Sequence, residues 1–78
     1  MTKNEFISII ENNNDIEFMI GNDNYTILTW TTMGITIAKA NEIPEKGYSD
    51  AQTLLENFKI GGTPLSKILP DIKLIFAA

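Results

Sequence analysis

The chain has no cysteine, no histidine and no arginine among its 78 residues. Each absence closes a class of chemistry. Without Cys or His there is no thiolate nucleophile, no imidazole base and no zinc centre of the usual nitrogen and sulfur type. Without Arg there is no planar fork to hold a phosphate or carboxylate bidentately. No disulfide can form, so stability must come from the core, and a cytoplasmic setting is expected. Positive charge is short as well. Lys supplies six charges against ten Asp and Glu, a net of −4, which is the wrong sign for nucleic acid or an anionic membrane. The acids are scattered, unlike the dense carboxylate rows of a DNA mimic. The apolar stretch Phe6 to Ile10 is too short for a signal peptide, and no run approaches the roughly 20 residues that span a bilayer. The expectation is a small acidic protein, soluble, that is not an enzyme and takes no cofactor, metal, membrane or nucleic acid.

What is present is an ordinary globular balance, 44% hydrophobic and 21% charged, in one domain over residues 1–78. A chain this short hides only about 60% of the surface its unfolded form exposes, so every apolar contact counts. Thr2 and Glu5 have the spacing of a capping box, and Phe6, Ile9 and Ile10 then share one helical face, with Asn13 or Asn14 as left-handed terminators. Ile16, Phe18 and Ile20 alternate with Glu17 and Met19 as in a half-buried strand. Gly21 to Asn24 reads as a turn, Tyr25 to Thr31 as a second strand, Thr32-Met33-Gly34 as a hairpin loop and Ile35 to Ala40 as a third strand. Asn41 to Gly47 is an exit loop. Ser49 and Gln52 suggest another capping box, ahead of Ala51, Leu54, Leu55 and Phe58 at helical spacing, with Gly61-Gly62 as the stop. Thr63 and Pro64 should open a third, short helix. After Pro70 the apolar residues fit either a strand or a helical stripe, and proline favours an extended tail. The fold class is α+β: helix, three-stranded antiparallel meander, helix, short helix and a terminal apolar segment that could be a strand.

The order of these elements, with Asn4-Glu5-Phe6, Ile16-Glu17-Phe18, Tyr25-Thr26-Ile27 and the run Leu54 to Leu65, resembles a loose group of short, uncharacterised proteins of low-GC Gram-positive bacteria and their mobile elements. Gly62 stands where that group more often has Asp, a departure that touches turn geometry. The group has no assigned activity, so the resemblance implies a fold and no function.

Pairing the strands gives an asymmetry. Ile20 is expected opposite Tyr25, Phe18 opposite Ile27, Thr31 opposite Ile35 and Thr29 opposite Ile37. One face then carries Ile16, Phe18, Ile20, Tyr25, Ile27, Ile35 and Ile37, and the helices should cover it. The other carries Met19, Leu28, Trp30 and Ala38, with Leu28 opposite Ala38 and Trp30 opposite Thr36. Either the terminal segment folds over this second face, or the face stays open as a site for another protein or a second copy of the chain. The residues assigned to protein binding are therefore Met19, Leu28, Trp30 and Ala38.

Other constellations are weaker. Glu42, Glu45 and Asp50 lack the ligand order of a calcium loop and read as solvated acids. Gly61-Gly62-Thr63-Pro64 lacks the spacing of a phosphate loop, although Lys67 lies one turn on. Ser8, Ser49 and Ser66 have no base beside them in sequence terms, and Lys39 should lie on the core side near the sheet's end. The closing Ala77-Ala78 resembles the tail by which bacterial ATP-driven proteases recognise substrates, unless it is docked. The function expected is a non-enzymatic protein-interaction module that could self-associate through the outer sheet face. The alternative is a small mobile-element inhibitor or immunity protein that blocks a partner enzyme through Asp23, Glu42 and Glu45.

Overall fold

A computed structural model describes residues 1–78. Helix α1 (Lys3–Asn12) starts as its capping box dictates: Glu5 N–H donates to Thr2 Oγ1 at 3.1 Å, and Thr2 N–H donates to the Glu5 carboxylate at 2.8 Å. Its end does not use a left-handed asparagine. Asn13 is extended, and the side-chain amides of Asn12 and Asn13 donate to the free carbonyls of Ser8 and Ile9.

Strands β1 (Asp15–Ile20), β2 (Asp23–Thr31) and β3 (Gly34–Lys39) form the expected meander. The first turn is tighter than the sequence suggested, since Gly21-Asn22 alone makes it and Asp23 and Asn24 join β2. Ile20 therefore faces Asp23, Phe18 faces Tyr25 and Ile16 faces Ile27. The second hairpin is likewise shifted: Thr26 faces Ala38, Ile27 faces Ile37 and Leu28 faces Thr36. A slip of two residues leaves every side chain on its expected face, because the pleat repeats every two. Beyond Leu28 the register breaks. A bulge sets Thr29 and Trp30 against the single residue Ile35 before Thr31 meets Gly34. Gly34 closes this turn at φ 97°, which a side chain would resist.

The sheet has two strands beyond the meander, one unexpected and one formed by the terminal segment, for which the sequence allows a strand. The exit loop runs into a short strand β4 (Gly47–Tyr48) on the free side of β3. Gly47 is required there, because a Cβ would come 1.7 Å from the Met33 carbonyl oxygen. Helix α2 (Ala51–Asn57) is capped by Asp50, which accepts from Thr53 N–H at 2.7 Å, and not by Ser49. It ends at Phe58, which is extended; Gly61-Gly62 instead turns a small hairpin of β5 (Lys59–Ile60) and β6 (Thr63–Pro64). Pairing with β5 takes Thr63 and Pro64 out of the third helix, leaving two 3₁₀ turns at Leu65–Lys67 and Leu69–Asp71, the second holding Pro70. Ile72–Ala77 is strand β7, antiparallel to β1, so the sheet order is β4-β3-β2-β1-β7.

The core lies between sheet and helices on the expected face. Ile16, Phe18, Tyr25, Ile27 and Ile37 are buried against Phe6 and Ile10 of α1, and Ala51, Leu54 and Leu55 of α2; Ile20 and Ile35 lie at its margin. Phe18 is the hub, edge-on to Phe6 at 5.7 Å between ring centres and stacked on Tyr25 at 5.4 Å. Leu65 and Leu69 close the side beyond α2.

Candidate interaction surface

The terminal segment does not fold over the second sheet face. It pairs edge-on with β1 from Ile20–Ile72 to Ile16–Ala77, with a bulge that leaves Ile75 as the extra residue. The hydrogen bonds explain the choice: β1 has one edge free after pairing with β2, and a neighbouring strand satisfies it where a segment lying across the face could not. Ala78 N–H donates to Asp15 O at 2.9 Å, and Ala78 O accepts from the N–H groups of Asn14 and Asp15. These bonds dock the last two residues, which contradicts an unpinned tail.

The outer face divides in two. Over β3, the exit loop returns: Asn41, Glu42 and Pro44 border a hollow of about 160 Å³ with Thr26, Leu28, Thr36 and Ala38. Thr36 is buried and Ala38 half-buried beneath it. Over β2, β1 and β7 the face is open, with Leu28 exposed and Thr26, Glu17 and Phe76 in one cross-strand row. Asp15, opposite Leu28, keeps Oδ1 shielded from solvent with no hydrogen-bond partner.

The four residues expected to form one patch are thereby separated. Leu28 and Ala38 share the hollow but sit diagonally, not opposite one another. Met19, half-buried, lies toward the other end of β1, opposite Asn24 and Lys73. Trp30 is 84% exposed. The bulge resets its alternation, and it borders a cleft with Ile10, Glu11, Ile35, Asp50 and Ala51 on the helical side instead of the outer-face hollow. Leu74, Ile75 and Phe76, weighed from the sequence as a cover for the second face and not as a site, are exposed at 38, 51 and 46%. The alternation of Ile72, Leu74 and Phe76 was the available signal, and the open choice between strand and helix hid it.

Of the charged candidates, one is paired. Asp23 pairs with Lys39 at 3.4 Å, both half-exposed. Glu42 and Glu45 form no ion pair and border a cavity of about 340 Å³ together with Tyr25, Lys39 and Lys59. Burial raises the Tyr25 pKa above its ordinary value, with Asp23 and Glu42 adding to the rise and Lys39 opposing it. Hydrogen bonds from Thr53 hold the Asp50 carboxyl below the usual range, so this acid is committed to capping α2. Gly61-Gly62-Thr63-Pro64 belongs to the β5–β6 hairpin and offers no helix start to a phosphate.

No family model, curated protein or solved structure matches the chain. No helix is long and apolar enough to cross a membrane. The functional reading therefore rests on the geometry of the open sheet.

Proposed function

We propose that this small α+β protein is a protein-interaction module without catalytic chemistry of its own, acting through the open part of the outer sheet face. The observation that carries the reading is the uncovered stretch of β2, β1 and β7, where Leu28 and Phe76 stand exposed although a domain this size needs its apolar side chains inside. Trp30, exposed but turned to the cleft on the helical side, lies outside this surface.

A photo-crosslinking residue placed at Leu28 or Thr26 tests the proposal, with Gln52 on the exposed side of α2 as control. The module reading expects cross-links, to another chain or to a second copy, at the sheet positions and not at Gln52. Equal yields at all three positions, or none at the sheet, would overturn it.

A further inference from the structure

The two edges of the sheet are treated differently. At one edge β4 is two residues long, follows Pro44 and Lys46 within four residues, and leaves almost no backbone to copy. At the other, β7 is a six-residue strand, Ile72-Lys73-Leu74-Ile75-Phe76-Ala77, with no strand beyond it. Natural sheets shield such edges with charge, proline, brevity or a bulge, and the one at Ile75 is the single irregularity of this strand. Here one Lys is the only charge and three consecutive apolar residues are exposed. The paired bonds between Ala78 and Asp15 fix the phase of the ladder, so the N–H and C=O of Ala77 turn away from β1. Neither helix contributes a main packing surface to β7, whose chief contacts are with β1, so Leu74 stays exposed on the helical side too.

We propose that β7 pairs antiparallel with the β7 of a second copy of this chain, joining two sheets into one across a two-fold axis. The inference rests on the reading of the chain as an interaction module and names its partner and its strand. Self-pairing suits the sequence of the strand. With the axis between Leu74 and Ile75, each Leu74 meets the partner's Ile75, and each Lys73 meets the partner's Phe76. Phe76 lies beside Glu17 in its own sheet, so each Lys73 stem covers a ring while its ammonium points toward a carboxylate of the other copy. The strand itself holds no acid, and in this register each Asp71 falls opposite the partner's Ala78, at the ends of the ladder rather than within it. The arrangement is isologous and closed: it consumes the long edge strand of each copy, and the shortness of β4 at the other edge opposes growth into a fibre. An edge contact of six residues a side is small, so the dimer dissociates with a Kd on the order of 10–100 μM.

Sedimentation velocity over a concentration series from about 1 μM to about 1 mM tests this, bracketing the affinity expected of a small interface. The mass should rise from 8.7 kDa toward twice that value. Ile75→Lys, at a position already half exposed, should raise the Kd at least about tenfold, while Leu28→Lys on the outer face should leave it unchanged. Hydrogen exchange on the unmodified protein supplies a readout independent of any variant: the Ala77 amide should gain protection with concentration while the Thr26 amide does not change. A monomer throughout the series overturns the dimer, and cross-links to a different chain at Leu28 would then leave the module reading standing. A dimer weakened by Leu28→Lys but not by Ile75→Lys moves the contact to the face and overturns the edge. A dimer with no gain in Ala77 protection does the same.

Discussion

Replacing Trp30 with alanine separates a binding role from a structural one. An indole side chain buries up to about 250 Å² when fully enclosed, and a buried Trp or Phe costs roughly 3–5 kcal/mol when cut to alanine. Trp30 is 84% exposed, so only about a sixth of that area, roughly 40 Å², is withdrawn from water. At about 25 cal/mol per Å² the loss is near 1 kcal/mol. Against a total stability of roughly 4–12 kcal/mol for a chain of this length, that is small. Urea unfolding followed by far-ultraviolet circular dichroism, at a concentration low enough to keep the chain monomeric, gives the difference directly. The native protein should also show the emission of a solvated indole before any urea is added. A loss of 3 kcal/mol or more, or a blue-shifted native emission, would refute the placement of Trp30 at an exposed bulge, and with it the idea that the residue is free for a partner.

Phe18→Ala is the opposite case: the ring is fully buried between Phe6 and Tyr25, so a loss of about 3–5 kcal/mol is expected, and a melting temperature within a few degrees of wild type would contradict the core described. Gly47→Ala should detach β4 from β3, because the new methyl would collide with the Met33 carbonyl; loss of slow exchange at the Tyr48 amide reads this, and an unchanged amide would count against the strand. Acid should destabilise the protein through Glu5 and Asp50. Hydrogen bonds from Thr2 and from Thr53 depress their folded pKa values, so their contribution is full above the unfolded carboxylate range and fades as pH falls through the lower folded values. Asp50→Asn keeps a capping oxygen but removes that titration, and its acid limb should be shallower than wild type. Tyr25 and Tyr48 act at the alkaline end. Burial raises both, so stability is intact below the ordinary tyrosine value near ~10 and falls as pH climbs toward the raised ones; a flat urea midpoint from pH 9 to pH 11 would contradict their burial.

Much of the architecture is a local matter and was legible from the residues alone. The capping box of α1 needs only Thr2 and Glu5, three apart. The division of β1, β2 and β3 into a core face and an outer face needs only the alternation of side chains, and it survived an error of two residues in both hairpins. Other features were decided by contacts distant in sequence. Asp50 displaced Ser49 as the cap of α2 once β4 had claimed the residues before it. Gly61-Gly62 would stop a helix or turn a hairpin equally well, and pairing of Lys59–Ile60 with Thr63–Pro64 selected the hairpin. Apolar residues after Pro70 fitted two periodicities, and the free edge of β1 chose between them. The candidate surface depended on the same kind of event. Composition and alternation determined that this chain is a small α+β protein with apolar residues to spare on its second sheet face. Whether those residues would be covered, and whether Trp30 would stand with Leu28 or apart from it, was decided in three dimensions, because strand pairing and a bulge obey hydrogen bonds between backbones that no stretch of side chains encodes by itself.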